Sequence, residues 1–280
     1  KDFVSKTVQR YETTTRYLEE FIKKEYQLSD IALNNLEANF ISKFDAFLKI
    51  EKGCAQNSAI TRLKNLKKII RIALENDWIK KDPFAYYHFK LEETDPEFLT
   101  MDEIKIILAK EFTIKRVEQV RDVFVFCIFT GLAFSDVKDL SPEHLVKDNK
   151  GELWIRKNRQ KTKIMCNIPV LPVAASILEK YKNVVECTGK LLPVLSNQRM
   201  NSYLKEIADV CGLQKNLCTH VARHSYATSI CLANGVSMEN VAKMLGHADT
   251  NVTKHYARVL DQNILKDMQK VNSCLSELAI

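Results

Sequence analysis

Hydrophobic positions in the first ninety residues recur every three or four residues, which is the spacing of one face of an α-helix. Three runs have this spacing, at 8–22, 36–48 and 60–73. A short fourth stretch of the same helical region, at 78–84, is turned by Asp82 and Pro83. We therefore predict a bundle of helices in this part of the chain.

A new pattern begins after an acidic, polar stretch at 93–97, which we interpret as a linker. Thr100 and Glu103 have the spacing of a capping box, in which two side chains satisfy the first amides of a helix. Residues 117–130 then form a very apolar helical segment that ends at Gly131. This stretch predicts a second helical region with a buried central helix.

Short alternating segments rich in β-branched residues follow the apolar helix, at 144–148, 152–157 and 163–170. Basic turns separate them, so we predict a three-stranded antiparallel sheet. The fold class is therefore mostly α with a small antiparallel β-sheet. Helical spacing returns in five later segments, namely 172–185, 199–211, 220–234, 237–245 and 262–278.

Composition agrees with a globular, largely helical protein. The chain has 280 residues, 46% hydrophobic and 28% charged, with only seven glycines and six prolines. Its longest apolar run, 123–129, is far shorter than the ~20 residues that cross a bilayer, so we expect a cytoplasmic protein with no membrane partner. None of the eight cysteines forms a C-x-x-C pair, and we expect reduced thiols and no metal site.

Basic residues concentrate in two segments, one in each half of the chain. Residues 60–81 and 147–163 each hold seven Lys and Arg against two acidic residues, whereas the whole chain has 42 against 35. Such clusters attract an anionic polymer, although each also fits an ordinary solvated face. We interpret them as DNA-binding surfaces, with candidate contacts at Lys64, Lys67, Lys68, Arg71, Arg156 and Arg159.

His220 and Arg223 are the first pair with the chemistry of a reactive site. They are three residues apart and share one helix face. Because Cys218 or Thr219 would begin that helix, the pair lies in its first turn, where free amides and the helix dipole attract anions.

Three further residues extend this constellation. His247 follows Gly246, which ends a helix that begins near Ser237. Tyr256 stands nine residues beyond His247, and Lys161 lies in the turn between the second and third predicted strands. Each residue alone is a weak signal, and their order and spacing together carry the information.

This order of residues resembles the tyrosine recombinases, also called the phage-integrase family. Residues 130–136, T-G-L-A-F-S-D, stand where the family has T-G-x-R-x-S-E, and 245–256 match its last motif closely. By this resemblance, 1–92 is a helical core-binding DNA-binding domain, and 98–280 is the catalytic domain with an exchange helix at about 262–280. The chain looks most like integrases of phages and conjugative transposons, rather than chromosome-dimer resolvases.

The resemblance implies a site-specific recombinase that cleaves and rejoins DNA through a 3′-phosphotyrosine, for integration or excision of a mobile element. Tyr256 would be the nucleophile and Lys161 the general acid. Contacts to the scissile phosphate would come from Arg223, His220 and His247. It also implies that no cofactor is needed. The expected partners are double-stranded attachment sites at the nucleoid, three more protomers held through the C-terminal helix, and accessory DNA-bending or directionality proteins.

One position departs from the family pattern, because Ala133 stands where the family has its first arginine. Arg121, on the apolar helix, is our candidate for the missing charge, since a cation at such a helix needs an anionic partner. The alternative is that Arg121 pairs with a structural carboxylate, Asp122 or Asp136. Two rival functions follow from the departure and the chemistry: a catalytically impaired DNA-binding relative, and a type IB topoisomerase-like nicking-closing enzyme.

Overall fold

The computed structural model describes residues 5–249, together with 253, 268, 269, 271 and 272. The chain divides into two compact units, residues 1–95 and residues 96–280. Each unit encloses its own hydrophobic core. Among the described helices, none combines the length and the apolar composition that a membrane-spanning segment needs.

The first unit is a helical bundle packed around aromatic side chains. The Phe21 ring lies 5.1 Å from the Phe40 ring and 5.2 Å from the Phe44 ring, between centroids. Burial of these rings supplies much of the apolar area that stabilises the unit. The helices confirm the three long runs of the sequence and are α1 (Ser5–Tyr26), α2 (Ala38–Ile50) and α3 (Gln56–Glu75).

Residues 78–84 form turns, so the fourth helical stretch of the sequence analysis is wrong. Asp77 has a φ of 57°, which ends helical geometry before this stretch begins. The Asp82 carboxylate accepts a hydrogen bond from the Phe84 amide at 2.8 Å, and Pro83 has no amide hydrogen to donate. Local turn chemistry therefore overrides the apolar spacing here.

The second unit is built around one apolar helix. Eight helices occur in its described part: α4 (Met101–Ala109), α5 (Lys115–Thr130), α6 (Phe134–Lys138), α7 (Pro172–Lys180), α8 (Lys182–Thr188), α9 (Asn197–Val210), α10 (Thr219–Ser225) and α11 (Met238–Leu245). Because α7, α9 and α10 all pack on α5, its apolar residues are buried almost all round. The capping box of Thr100 and Glu103 opens α4 as predicted.

The predicted three-stranded antiparallel sheet is confirmed. Its strands, in spatial order, are β1 (Leu145–Lys147), β2 (Leu153–Asn158) and β3 (Met165–Pro169). Ile155 on the central strand faces Ile168 on β3, and both side chains are buried against the core. The turn at 159–164 leaves this hairpin at the end that faces the site described below.

The predicted helix at 220–234 is shorter than its pattern, because the wider π-helical turn Tyr226–Cys231 follows α10. Both serines at this transition bind the backbone of Leu99. Ser225 Oγ accepts from the Leu99 amide at 2.8 Å, and Ser229 Oγ donates to its carbonyl at 2.5 Å. These contacts tie α10 to the segment that enters α4.

Candidate active site

Arg223 occupies the centre of the candidate site, and only 1% of the residue is exposed. Its Nη1 donates to the Gly131 carbonyl at 2.7 Å, and its Nη2 donates to the Leu245 carbonyl at 2.5 Å. These carbonyls belong to the C-terminal ends of α5 and α11, where unpaired oxygens and the helix dipole favour a cation. Two helix ends therefore hold the buried guanidinium in one place.

Both helices end at a glycine in the left-handed region, Gly131 with φ 67° and Gly246 with φ 61°. A Cβ on Gly131 would lie 2.8 Å from Cε1 of Tyr226. A Cβ on Gly246 would lie 2.6 Å from Sγ of Cys166. Glycine is required at both positions because of the backbone conformation and because of these close approaches.

His247 also contacts the Arg223 guanidinium. Its Nε2 lies 3.0 Å from Nη2 of Arg223, and its Nδ1 lies 2.9 Å from Oγ1 of Thr253. Because a guanidinium only donates, Nε2 accepts, and the neutral ring donates from Nδ1. Desolvation, followed by the positive charge of Arg223, lowers the pKa of His247 to about 4. This imidazole is therefore neutral at pH 7.

His220 lies at the exposed start of α10, whose N-cap is Cys218. Its ring contacts the His224 ring edge to face, with centroids 4.6 Å apart. Desolvation and the positive charge of Arg223 lower the pKa of His220. The charges of Arg159 and Lys161 add to this lowering, which places two cations of the hairpin turn near the same imidazole.

The turn between β2 and β3 carries Lys161, as the sequence predicted. Lys161 is exposed, while Thr162 beside it donates from Oγ1 to the Gly246 carbonyl at 3.0 Å. That bond attaches the turn to the residue before His247. The structure therefore brings Lys161, His220, Arg223 and His247 to one side of the second unit.

Arg121 is not part of this group. Its Nε donates to the Asp122 carboxylate at 2.7 Å, and its Nη1 donates to three carbonyls at the C-terminal end of α4. It precedes Gly131 by ten residues on α5, which is about 15 Å along a helix. These contacts favour the structural pairing with Asp122 over the idea that Arg121 supplies the charge missing at Ala133.

The lysines of α3 lie over aromatic rings of their own unit. The ammonium groups of Lys64 and Lys67 are 5.9 Å and 5.1 Å from the centroid of the Phe89 ring. Lys68 lies 5.9 Å from the centroid of the Tyr11 ring. Such contacts orient an ammonium group without neutralising it, so this face keeps its positive charge.

The three arginine candidates for DNA contact differ in their surroundings. Arg71 forms an exposed ion pair with Glu75 at 2.8 Å, which offsets its charge. Arg156 projects from β2 and is exposed. Arg159 is half-buried where the turn leaves β2, and its charge acts on His220 and His247. It therefore lies at the candidate active site, a position that the sequence analysis missed.

Tyr256 and the segment 262–280 fall outside the described residues, apart from the four helical positions given above. Tyr226 is the other tyrosine close to the H-x-x-R motif, and it is buried, with its hydroxyl 3.0 Å from Sδ of Met244. Burial raises the pKa of this phenol, which makes Tyr226 unsuited to attack a phosphate.

Asp136 is a second residue whose place near the site the sequence analysis missed, since it was considered there only as a partner of Arg121. It is buried on α6, and its Oδ1 accepts a hydrogen bond from the Gln160 amide at 2.8 Å.

Within the described part of the chain, no cluster of three or more His, Cys, Asp or Glu is arranged to hold a metal ion. The seven described cysteines are free thiols.

Two family descriptions match the chain along almost its whole length. Residues 1–91 match the phage integrase SAM-like domain, and residues 97–263 match the phage integrase family. Tyrosine recombinase XerD of Listeria monocytogenes serotype 4b (strain F2365) is 27% identical over 282 aligned residues, which cover 94% of this chain and 91% of that protein. Tyrosine recombinase XerC of Pediococcus pentosaceus is 22% identical, and the alignment covers 92% of this chain and 91% of that protein.

Solved structures share the fold. A lambda integrase fragment, seen as a dimer bound to a COC′ core site, has a TM-score of 0.74 at 18% identity and covers 92% of this chain and 90% of that one. The Tn1549 transposon integrase in complex with a circular intermediate DNA has a TM-score of 0.74 at 17% identity, and covers 96% and 95%.

The chain belongs to the phage integrase family, the tyrosine recombinases, as its motifs indicated. It is a site-specific DNA recombinase, an enzyme that breaks and rejoins DNA strands. The relatives favour neither of the rival functions, a type IB topoisomerase or a non-catalytic DNA-binding relative.

Proposed function

We propose that the chain integrates or excises a mobile element by cutting one strand at a time with Tyr256. The phenolic oxygen of Tyr256 attacks the scissile phosphorus, and the bond from phosphorus to the 5′-oxygen breaks. The products are a 3′-phosphotyrosine and a free 5′-hydroxyl. Because the phosphodiester energy is kept in the new bond, rejoining needs only attack by a 5′-hydroxyl on that phosphorus.

The remaining site residues act on charge and protons in this scheme. Arg223 presents donors to the non-bridging oxygens, which gain charge in the transition state. Lys161 protonates the departing 5′-oxygen. The lowered pKa of His220 keeps its imidazole neutral at pH 7, so that it can accept the Tyr256 proton or bond to a phosphate oxygen.

The placement of Arg223 is the observation that carries this proposal. A buried guanidinium fixed by the Gly131 and Leu245 carbonyls, with His247 against it and Lys161 on the adjoining turn, is prepared to meet an anion. Pre-organised donors of this kind lower the free energy of a charged transition state because they need no reorganisation.

We propose that residues 1–92 form the DNA-binding core domain and that residues 98–280 form the catalytic domain. The partner is double-stranded DNA, as in the DNA-bound lambda and Tn1549 integrases. Four protomers would act together on two duplexes through the C-terminal helix, with accessory DNA-bending or directionality proteins as further partners. The site of action is the bacterial cytoplasm, at the nucleoid when the protein is bound to DNA.

The experiment is cleavage of a suicide DNA made from the joined ends of the element that carries the gene. A nick close to the cut lets the short 5′-hydroxyl strand diffuse away, so the covalent complex accumulates. The expected result is a protein–DNA band on a denaturing gel for the wild type and none for Tyr256→Phe, with equal binding by both. A covalent band from Tyr256→Phe would contradict the proposal.

A further inference from the structure

We propose that the cation that replaces the arginine missing at Ala133 comes from the hairpin turn, and not from α5. In this proposal Arg159 provides the second guanidinium for the scissile phosphate. This inference rests on the proposed strand cleavage, and it makes Arg159 a catalytic residue in addition to Arg223.

The backbone fixes Arg159 at the base of the turn. Its amide donates to the Ile164 carbonyl at 2.8 Å, and its carbonyl accepts from the Lys163 amide at 2.8 Å. These two bonds close the turn directly after β2. Arg159 is therefore held more firmly than Lys161, which lies at the exposed tip of the same turn.

Two contacts direct the turn toward the position that lost its arginine. The Gln160 amide donates to Asp136 on α6, one turn of helix from the N-cap residue Ala133. The Cβ of Arg159 lies 3.5 Å from the position that a Cβ on Gly246 would occupy. The side chain of Arg159 therefore leaves the backbone between α6 and the C-terminal end of α11. The last carbonyl of α11 accepts a hydrogen bond from Arg223.

The charge of Arg159 acts on groups that surround Arg223. It lowers the pKa of His220 and of His247, in each case after desolvation and the charge of Arg223. Burial raises the pKa of the Cys166 thiol, and the charges of Arg223 and Arg159 oppose that rise. The guanidinium groups of Arg223 and Arg159 therefore both lie close to the same three side chains, namely His220, His247 and Cys166.

Arg159 also has capacity for an anion. Among the residues that the structure describes, its buried Nε has no hydrogen-bond partner. A desolvated donor without an acceptor costs free energy, commonly 1–3 kcal/mol, and a phosphate oxygen would satisfy it. Arg121, by contrast, already bonds Asp122 and three backbone carbonyls.

The test compares single-turnover cleavage of the suicide DNA at saturating protein, so that the rates report the bound complex. We expect Arg159→Ala to cleave about 10²–10³-fold more slowly, and Arg159→Lys, which keeps the charge but loses the fork, to fall between it and the wild type. Adding Ala133→Arg to Arg159→Ala should recover part of the rate. Arg116→Ala, an exposed arginine at the start of α5, serves as the matched control with an unchanged rate.

A neutral substrate separates charge stabilisation from a structural role. A methylphosphonate at the scissile position lacks one charged oxygen, so wild type and Arg159→Ala should cleave it at rates within about threefold of each other. Equal rates for the two proteins on the ordinary phosphate would overturn the inference. So would a defect on the methylphosphonate as large as that on the phosphate. A wild type that forms no covalent product on either DNA would overturn the proposed function, and the inference with it.

Discussion

Nη1 of Arg223 donates to the carbonyl of Gly131 at 2.7 Å, which joins the buried guanidinium to the C-terminal end of the central helix α5. The carbonyl is available because Gly131, in the left-handed conformation, ends the helix. The same arrangement recurs at Leu245, before Gly246. Two helices that end at a glycine therefore fix the position of the Arg223 guanidinium in the site.

Gly246→Ala tests whether these glycines set the position of the turn. The new Cβ would lie 2.6 Å from Sγ of Cys166, so the hairpin that carries Arg159 and Lys161 must move. We expect cleavage to fall at least tenfold while DNA binding changes less, because the basic face of α3 in the first unit is untouched. Single-turnover cleavage and a binding titration measure the two effects.

Gly189→Ala is the matched control for that variant. Gly189 has a similar φ, 67° against 61° at Gly246, but a Cβ there meets nothing within 4 Å. It carries the cost of an L side chain in the left-handed region, roughly 1–2 kcal/mol, without the clash. Cys166→Ala in the Gly246→Ala background should recover part of the rate by removing Sγ. Equal losses from the two glycine variants would show that strain alone explains the effect.

Arg121→Ala should act on stability and not on the chemical step. The Arg121 and Asp122 side chains are 13% and 7% exposed, and the guanidinium also bonds the end of α4. Loss of these charged hydrogen bonds should lower the free energy of unfolding by about 1.5–3 kcal/mol. Urea titration measures this change. If Arg121→Ala is as stable as the wild type but cleaves a hundredfold more slowly, Arg121 acts in the active site after all.

Stability should fall as pH drops from about 6.5 toward 4. Burial lowers the pKa of His224 and of His247 to about 4 in the folded chain, against about 6.5 when unfolded. Between these two pKa values the unfolded chain binds more protons than the folded chain. The free energy of unfolding therefore increases as pH rises through this window and decreases as pH falls. Urea midpoints at pH 7.5 and pH 5 should show the decline. It should be smaller in His247→Gln, whereas exposed His88→Gln should match the wild type.

Neutralising Lys64, Lys67 and Lys68 with glutamine should weaken binding to all DNA sequences about equally. Each lost phosphate contact should reduce the slope of log affinity against log salt by ~1. Lys24→Gln is the control in the same unit, since its ammonium pairs with Glu51 at 2.9 Å. An unchanged slope in the triple variant would mean that this face of α3 does not meet DNA.

Local spacing was enough to predict the long helices, the sheet and the turn that carries Lys161, because each depends on residues close in sequence. The contacts of Arg223 were not predictable, since they join the ends of two helices that are 114 residues apart along the chain, at Gly131 and Leu245. Arg121 was assigned to the site because it is near Ala133 in sequence, yet it precedes Gly131 by nearly three helical turns. The sequence shows Arg159 only as one of several basic residues in the segment 147–163. Its place at the site depends on which helices the turn packs against, and the spacing of charges does not reveal that.

The central claim, cleavage through Tyr256, is tested most directly by identifying the residue that becomes bonded to DNA. After cleavage of the suicide substrate, digestion with trypsin separates the two candidate tyrosines, because Tyr256 lies in the tetrapeptide 255–258 and Tyr226 lies in the peptide 224–243. Mass spectrometry should find the nucleotide adduct on the tetrapeptide. An adduct on peptide 224–243, or on any other peptide, would contradict the account.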